Sequence, residues 1–538
     1  MNVIPVPTNE PVLSYAPGSP ERTRLRQAIR SLQTAPLDLP MHIGGETVEG
    51  GGAPLEVRAP HRHDLVLGRA RQGTAEDVTR AVDAALAASR EWGRASLEER
   101  AAVFLRAADL LAGPWRERLN AATMLGQSKT VHQAEIDSAC ELIDFWRFNC
   151  HYAARLGEDQ PLSVRGVWNR TELRPLEGFV VAITPFNFTS IAGNLPTAPA
   201  IMGNTVVWKP ASTQLLAAGL IIELLEEAGL PPGVINLVTG RGAVLEPAIR
   251  HPSLAGIHFT GSTGTFRHLW HQVSDNLDNY RTYPRLVGET GGKDFVVAHE
   301  SASLESLLVG LLRGSFEYQG QKCSASSRAY IPRRLWEELR GPLAAETERI
   351  PMGDPADFSM FMGAVIDEAA FRQHRGAIHG AAADPELHIV AGGECDDSVG
   401  WFVRPTIIAT DNPRHPLMET ELFGPILTVH PYEGTWEEAL RLVDETSPYA
   451  LTGAVFATDR RAIETGMREL RQAAGNIYVN DKPTGAVVGQ QPFGGARQSG
   501  TNDKAGSALN LVRWTSMRAI KETFVPPVAW RYPHMDPD

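Results

Sequence analysis

Apolar side chains recur at three- and four-residue spacing early in the chain and form short continuous runs further along. The stretches DVTRAVDAALAASREW and LEERAAVFLRAADLLAG, from residue 77, predict two amphipathic helices, because this spacing places apolar side chains on one helical face. A third predicted helix, AEIDSACELIDFWRFNCHYAARL, puts Ile136, Cys140, Ile143, Trp146 and Cys150 on one stripe, with Glu141 beside it.

From residue 179 the runs FVVAIT, NTVVWK, VINLVT and IHFTG alternate with helical segments such as TQLLAAGLIIELLEEAG. This alternation predicts a parallel sheet, in which ligands bind beyond the carboxyl ends of the strands, where PFNF, KPAS and GSTG lie. DFVVAH, SSRAYIP, FVRPTIIA, AVFAT and NIYVN predict a second α/β domain between residues 290 and 480.

Two further segments lie outside these domains. Residues 1–40 are proline-rich apart from the helix-like ERTRLRQAIRSLQ, which predicts an arm lying over a larger body. Around LSVRGVWNRTELRP, residues 158–177 alternate polar and apolar side chains, which predicts a projecting hairpin.

Composition narrows the class of protein. A chain of 538 residues with 43% hydrophobic residues can bury more than one core. The net charge of -12 argues against nucleic-acid and anionic-membrane partners. The polar start and the lack of an apolar run near the roughly 20 residues of a membrane span predict a soluble protein in the cytoplasm.

Four cysteines occur, without CxxC or zinc spacing, so we expect neither a disulfide framework nor a metal site. We interpret Cys140, Cys150 and Cys395 as buried small apolar residues. Cys323, in FEYQGQKCSASSR, lies in a glycine-flanked loop where a thiol could be exposed to substrate. Glu289, beside the glycine pair of GETGGK, could be a general base on a flexible loop, although alone it would be taken for a solvated acid.

Six motifs together resemble the aldehyde dehydrogenase superfamily over nearly the whole chain, and they carry Asn187, Lys209, Glu289, Cys323 and Glu421. They are ITPFNF, VVWKPA, FTGSTG, GETGGK, GQKCS and ELFGP. The resemblance implies that Cys323 is the nucleophile, that Asn187 and the Cys323 backbone N–H form an oxyanion hole, and that Glu289 activates water. A catalytically silent structural protein on this fold is the alternative of another class, and the intact catalytic set argues against it.

Segments outside the shared core resemble the 1-pyrroline-5-carboxylate dehydrogenase branch: NEPVLSYAPGSPER, KPTGAVVGQQPFGGARQSGTNDKAG and RWTSMRAIKET. The implied reaction is the NAD-dependent oxidation of L-glutamate γ-semialdehyde, in equilibrium with 1-pyrroline-5-carboxylate, to L-glutamate in proline catabolism. A family member for another carboxylated aldehyde, such as succinic semialdehyde, is the alternative.

The resemblance assigns Lys209 to the adenosine ribose of NAD, the 261–265 turn to the pyrophosphate, and Glu421 with Phe423 to the nicotinamide ribose and ring. The residues expected at the cofactor are Thr184, Pro185, Phe186, Lys209, Ser212, Gly240, Gly261, Ser262, Thr263, Gly264, Thr265, Glu421 and Phe423. No GxGxxG motif follows a strand, so the ordinary dinucleotide fingerprint gives no independent support for NAD binding. Ser212 stands where many NAD-selective relatives have an acid, so discrimination against a 2′-phosphate is not encoded there.

The expected substrate carries an α-carboxylate and an α-ammonium group at the end remote from the aldehyde. Ser324 and the backbone amides of Gly485 and Ala486 could bind the carboxylate. The resemblance suggests that Phe188 and Phe493 flank the aliphatic chain, and Glu141 could face the amine. Core packing is the alternative for the phenylalanines, and a helix-surface ion pair is the alternative for Glu141.

The resemblance also implies the domain organisation. We expect an N-terminal arm (1–40), a Rossmann-like NAD-binding domain (41–157 and 178–288), a catalytic α/β domain (289–495), and a small β flap for oligomerisation (158–177 and 505–530). A homodimer or larger homo-oligomer follows from the flap. A proline dehydrogenase, which would supply the substrate, is a candidate partner.

Overall fold

The structure is a computed structural model that describes residues 4–537, so residues 1–3 of the predicted arm lie outside the described residues. The strands are β1 (Leu37–Asp38), β2 (Met41–Ile43), β3 (Glu46–Val48), β4 (Pro54–Ala59), β5 (Arg62–Arg71), β6 (Val167–Pro175), β7 (Phe179–Thr184), β8 (Thr205–Pro210), β9 (Ile235–Leu237), β10 (Leu254–Thr260), β11 (Arg285–Glu289), β12 (Asp294–Ala298), β13 (Ser326–Pro332), β14 (Leu387–Ala391), β15 (Cys395–Asp396), β16 (Phe402–Val403), β17 (Thr406–Thr410), β18 (Ile426–Tyr432), β19 (Tyr449–Ala450), β20 (Thr452–Phe456), β21 (Asn476–Val479), β22 (Ala496–Arg497) and β23 (Thr515–Thr523).

The helices surround these strands, and a π-helical turn spans Glu135–Glu141. They are α1 (Pro20–Thr34), α2 (Ala75–Trp92), α3 (Leu97–Ala112), α4 (Arg116–Gln127), α5 (Val131–Ala134), α6 (Leu142–Leu156), α7 (Thr189–Ile201), α8 (Leu215–Glu227), α9 (Glu246–Ile249), α10 (Thr263–Ser274), α11 (Leu304–Phe316), α12 (Arg333–Arg349), α13 (Glu368–Ala383), α14 (Pro416–Glu419), α15 (Trp436–Thr446), α16 (Arg460–Glu469) and α17 (Ala508–Val512). Among the helices of residues 4–537, none combines the length and apolar character that a membrane crossing requires.

Two seven-stranded sheets form the body of the protein and confirm the predicted α/β class. The first has the order β11-β10-β7-β8-β9-β2-β3 and the second the order β14-β17-β18-β13-β12-β20-β21. Pairing is parallel from β11 to β9 and from β17 to β21, whereas the edges at β2, β3 and β14 are antiparallel. Because parallel strands end at the same edge, each sheet offers one edge where several loops meet.

The predicted strand FVVAIT became β7 because both of its faces are covered. Val180 and Ala182 lie in the core that also contains the buried faces of α3 and α8, whereas Val181 and Ile183 lie in the core formed with α2 and α10. A strand buried on both faces is a continuous apolar run, and each fully buried Val or Ile contributes roughly 1.5–3 kcal/mol.

The third predicted helix is interrupted by the π-helical turn, which separates α5 from α6. Cys140, Ile143, Trp146 and Cys150 are buried as predicted, whereas Ile136 is half-buried. A π-helical turn inserts a residue into an α-helix and is frequent at functional sites. Here the turn also buries Glu135 and Asp137.

The predicted hairpin at 158–177 is wrong. Only Val167–Pro175 is a strand, β6, and it pairs antiparallel along its length with β23 near the C-terminus. The alternation of side chains correctly indicated a half-exposed strand, but the hydrogen-bonding partner comes from the other end of the chain, which local patterning cannot show.

Candidate active site

The three predicted catalytic residues come from both sheets, because β7 and β11 belong to the first sheet and β13 to the second. Asn187 lies between β7 and α7, Glu289 is the last residue of β11, and Cys323 lies between α11 and β13. Glu289 is therefore not on a flexible loop as predicted. It pairs with Thr260 of β10 and forms a bridge with Gly500, which fixes its backbone on both sides.

The nucleophile loop, Glu317–Ser324, enters through a strained turn. Tyr318 and Gln319 have φ values of 52° and 56°, a left-handed conformation that costs a non-glycine residue roughly 1–2 kcal/mol. The side chain of Gln319 offsets this cost, because its amide donates to the carbonyls of Ser128 at 3.1 Å and Ala364 at 2.7 Å and its oxygen accepts the Gly363 N–H at 2.9 Å. The turn is thus fixed just before the nucleophile.

Asn187 contacts this loop directly. Its Nδ2 donates to the carbonyl of Gln321 at 3.0 Å, and the side chain is buried. Because an amide nitrogen carries two protons, one remains free beside Cys323, where an oxyanion would develop.

The thiol of Cys323 lies among acids. Burial raises its pKa, and Asp294, Glu421 and Glu289 raise it further, so the resting thiol is protonated. The residue is only partly exposed, and the prediction of an open thiol needs this correction. Cys140 and Cys150 are buried as predicted, whereas Cys395 is half-buried rather than fully buried.

The carboxylate of Glu289 points at the same region. Its Oε2 accepts the Gly495 N–H at 2.8 Å. Burial raises its pKa well above the usual value, while the Gly495 N–H and Lys504 oppose that shift. A carboxylate made more basic in this way is suited to take a proton from water.

The two adjacent glycines of GETGGK, Gly291 and Gly292, leave room for the Glu421 carboxylate and the Cys323 backbone carbonyl. A Cβ on Gly291 would lie 2.0 Å from Glu421 Oε2, and a Cβ on Gly292 would lie 2.6 Å from the Cys323 carbonyl oxygen. Gly292 N–H donates to Glu421 Oε1 at 2.9 Å, and burial raises the pKa of Glu421 to about 7. Any side chain at either glycine would displace Glu421 or the nucleophile loop.

Lys209, the penultimate residue of β8, contacts Gly240 of the loop that follows β9, and both were predicted at the cofactor. Lys209 Nζ donates to the carbonyls of Pro210 at 3.0 Å and Gly240 at 3.4 Å, and burial lowers its pKa to about 8. Ser212 follows at the start of a short 3₁₀ turn. Thr184 ends β7 and accepts a hydrogen bond from Trp208 at 3.0 Å.

The turn at residues 261–265 begins α10 as predicted. Ser262 caps the helix by accepting the Thr265 N–H at 3.2 Å, and its hydroxyl lies 2.8 Å from that of Thr265. A Cβ on Gly264 would meet open space, while Thr263 Oγ1 reaches the Gln498 carbonyl at 3.5 Å. The exposed start of a twelve-residue helix is suited to a pyrophosphate.

Two aromatic rings meet beyond the end of β7, the strand that lies between β10 and β8. Phe186, which with Pro185 follows β7, and Phe423 have ring centroids 5.8 Å apart in an edge-to-face arrangement. Phe423 adopts a left-handed φ of 57°. Phe186 and Pro185 are half-buried, so they are not part of the fully buried core.

The anchor loop, Lys482–Gln491, contains the predicted carboxylate-binding residues. Ser324 Oγ and Thr484 Oγ1 are 2.8 Å apart, which joins this loop to the nucleophile loop. Gly485 follows Thr484 directly and has a φ of +95°, and Ala486 is half-buried. Phe493, half-buried, pairs with Ala505 through backbone hydrogen bonds of 2.8 and 3.0 Å.

Glu141 lies at the end of the π-helical turn. Its Oε2 accepts from Ser190 Oγ at 3.0 Å, and burial together with Asp137 raises its pKa to about 8. The alternative of a helix-surface ion pair is therefore wrong. Phe188 is half-buried above Lys129, whose Nζ lies 4.2 Å from the ring centroid.

Several charged residues of the site were not predicted. Lys129 is buried and donates to Asp137 at 2.6 Å, and Glu317 accepts from Lys322 at 3.0 Å and Lys482 at 2.6 Å. Burial opposes ionisation of Glu317, but the two lysines lower its pKa to about 2. Lys322 could have been noticed, because it precedes Cys323 directly. The pairing of Lys129 with Asp137 has no comparable local signal.

Comparison with known proteins identifies relatives over the full chain. A model described as the aldehyde dehydrogenase family matches residues 47–520. The chain is 50% identical to a Dictyostelium discoideum protein named delta-1-pyrroline-5-carboxylate dehydrogenase, mitochondrial, with 99% of this chain and 97% of that protein covered. The Homo sapiens protein of the same name is 49% identical, with 98% and 94% covered.

A solved structure agrees closely with the fold. The crystal structure of the delta-pyrroline-5-carboxylate dehydrogenase from Mycobacterium tuberculosis bound with NAD has a TM-score of 0.96 at 59% identity and covers 100% of this chain and 99% of that chain.

The predicted cytoplasmic location is contradicted by these comparisons. The Dictyostelium and human relatives are both named mitochondrial. The prediction used only the polar amino-terminal residues and the missing apolar run, and neither feature distinguishes one aqueous compartment from another.

Proposed function

The chain belongs to the aldehyde dehydrogenase family, and we propose from its site and its relatives that it oxidises L-glutamate γ-semialdehyde to L-glutamate with NAD. The reaction is the second step of proline catabolism, and the aldehyde is in equilibrium with 1-pyrroline-5-carboxylate. The observation that carries the substrate assignment is the contact between Ser324 and Thr484, because it holds the turn at Gly485 beside the nucleophile loop.

Cys323 carries out the first step. The thiol gives its proton to water, and the sulfur then attacks the aldehyde carbon: a carbon–sulfur bond forms, the carbonyl π bond breaks, and its electron pair becomes the negative charge on the oxygen. The free amide proton of Asn187 and the Cys323 backbone N–H stabilise that oxygen. Removing one donor of this kind typically lowers the rate about 100- to 1000-fold.

NAD, when bound, accepts the hydride from the substrate carbon, which leaves a thioester on Cys323. Glu289 then takes a proton from water as the water oxygen attacks the thioester carbon. The carbon–sulfur bond breaks, and the acid leaves from the regenerated thiolate. The raised pKa of Glu289 makes it a stronger base for this step.

The residues at the edge of the first sheet fit NAD. Lys209 is buried without an anionic partner among residues 4–537, and its two hydrogen bonds to carbonyls leave a third proton for a ribose hydroxyl. The exposed N-terminus of α10 accepts a pyrophosphate, and Phe186 with Phe423 borders the nicotinamide end. Glu421, whose carboxylate accepts the Gly292 N–H in this structure, would bind the nicotinamide ribose.

The substrate's charged end fits the opposite wall of the cleft. The Gly485 and Ala486 amides and the Ser324 hydroxyl donate to its α-carboxylate. Glu141 accepts from its α-ammonium group, and the rings of Phe188 and Phe493 flank the chain between. Buried beside Asp137, Glu141 gains from a cation, which would lower its raised pKa.

Initial rates of NADH formation at 340 nm with 1-pyrroline-5-carboxylate, succinic semialdehyde and propanal, each with NAD and with NADP, test the proposal. We expect the highest kcat/KM with 1-pyrroline-5-carboxylate and NAD. Activity confined to succinic semialdehyde would retain the mechanism and reject the substrate.

The paired strands β6 and β23 are a candidate contact with a second copy of the chain. Trp168 and Met517 on this ribbon are 48% and 60% exposed, and an exposed strand edge invites pairing. We therefore propose a homodimer or a larger homo-oligomer, and light scattering that finds a monomer would contradict it. A proline dehydrogenase is the proposed enzyme partner, and pull-down of that purified enzyme is the test.

A further inference from the structure

The segment Asn9–Tyr15 of the amino-terminal arm lies against both sides of the substrate site. Asn9 Nδ2 donates to Asp144 Oδ2 at 2.8 Å and to the Val488 carbonyl at 2.7 Å. Asn9 Oδ1 accepts from Gln490 Nε2 at 3.0 Å. A single side chain therefore joins α6, which carries Asp144, to the anchor loop.

The anchor loop depends on this side chain. Within residues 4–537, the hydrogen bonds that residues 485–491 make outside their own segment all go to Asn9. The others are internal, such as Val487 N–H to Gln491 Oε1 at 2.9 Å. The position of Gly485 and Ala486 therefore rests on the Ser324–Thr484 contact on one side and on Asn9 on the other.

Asp144, the partner of Asn9 on α6, lies close in sequence to Glu141 on the other side of the substrate site. Asp144 follows Glu141 by less than one helical turn, and the Glu10 N–H donates to Asp144 Oδ1 at 2.8 Å. Asn9 thus connects the element that carries the expected ammonium-binding carboxylate with the loop that carries the expected carboxylate-binding amides.

The rest of the arm is held independently of Asn9. Glu10 pairs with Arg116 and with Arg147, each at 2.6 Å. The Tyr15 hydroxyl and the Leu13 N–H donate to Glu135, each at 2.8 Å. Loss of the Asn9 amide therefore leaves the arm in place and releases only the anchor loop.

We propose that Asn9 is a positioning residue for the substrate: it sets the distance between Glu141 and the anchor-loop amides, and so selects an aldehyde that carries both an α-ammonium group and an α-carboxylate. This inference rests on the proposed function. Propanal has neither group, so its binding does not depend on that distance.

The test compares Asn9→Ala and the isosteric Asn9→Asp with the wild-type protein. An ionised aspartate cannot donate to Asp144 or to the Val488 carbonyl, although its volume is the same. We expect KM for 1-pyrroline-5-carboxylate to rise about ten-fold in both variants, as the loss of two partly buried hydrogen bonds implies. The KM for propanal and kcat with either substrate change less than about two-fold.

Thr8→Ala is the matched control, because Thr8 is exposed on the same arm and makes no hydrogen bond within residues 4–537. Hydrogen exchange of the peptide covering residues 484–491 supplies a readout that needs no substrate, and exchange should quicken in Asn9→Ala but not in Thr8→Ala. Unchanged exchange, or equal KM changes for both aldehydes, overturns the inference. Failure of the wild-type protein to oxidise 1-pyrroline-5-carboxylate overturns the proposed function instead.

Discussion

The nucleophile loop and the anchor loop meet at Ser324 and Thr484, yet they are held in opposite ways. Residues 317–322 are buried, and a strained backbone is fixed by hydrogen bonds to the protein interior. Residues 489–491 are exposed, and their loop is tied by Asn9 from the far end of the chain. The two loops share the Ser324–Thr484 and Glu317–Lys482 contacts, but their other supports differ, so a substitution at one of those supports can alter bond-making chemistry or substrate choice without the other.

Cys323→Ala should have the largest effect, because no other group can form the thioester. We expect turnover of every aldehyde to fall at least about 10⁴-fold while NAD binding and Tm stay unchanged. Steady-state rates and calorimetric titration with NAD measure this. Cys395→Ala removes a half-buried thiol outside the site and should leave turnover intact.

Glu289→Gln should come next, because it removes the base for hydrolysis and leaves thioester formation possible. We expect a burst of NADH close to one equivalent per site, followed by a steady rate reduced about 100- to 10,000-fold. In the wild-type protein we expect kcat to fall as the pH falls through the raised pKa of Glu289, because only the ionised carboxylate accepts a proton. Stopped-flow traces without a burst would mean that Glu289 acts before the thioester forms.

Gly485→Val should show that the anchor loop affects substrate choice and not the chemistry at Cys323. The φ of +95° at Gly485 disfavours a side chain, and any shift moves the amides from the carboxylate. We expect KM for 1-pyrroline-5-carboxylate to rise roughly 10- to 100-fold, with propanal kinetics unchanged. Gly229→Val is the matched control, since Gly229 has the same φ of +95° and open space around it. Equal losses with both aldehydes would contradict a specificity role.

Ser324→Ala should have the smallest effect. It removes one hydroxyl contact of 2.8 Å, while the Lys482–Glu317 ion pair and Asn9 still hold the anchor loop, so we expect about a three- to ten-fold rise in KM for 1-pyrroline-5-carboxylate. Ser315→Ala, which breaks a buried hydroxyl contact of 3.0 Å with Ser326, is the control. A larger effect on kcat than on KM would place Ser324 in the chemistry instead.

The same contrast explains what could be predicted from the sequence. The strand FVVAIT and the nucleophile motif are local patterns, so β7, Asn187 and Cys323 were predicted from their own neighbourhoods. The pairing of β6 with β23 and the hydrogen bond from Asn9 to the Val488 carbonyl each join residues that are far apart in the sequence, so local patterns could not predict them. The π-helical turn before Leu142 also escaped prediction, because an inserted residue leaves the apolar spacing on either side nearly unchanged.

The most direct test of the account is to trap the acyl-enzyme. Glu289→Gln is mixed with 1-pyrroline-5-carboxylate and NAD, quenched in acid so that the α-amine stays protonated and cannot attack the thioester, and mapped by peptide mass spectrometry. We predict a γ-glutamyl thioester on Cys323 in an amount equal to the NADH burst. NADH formed without an adduct on Cys323, or an adduct on another residue, would contradict it.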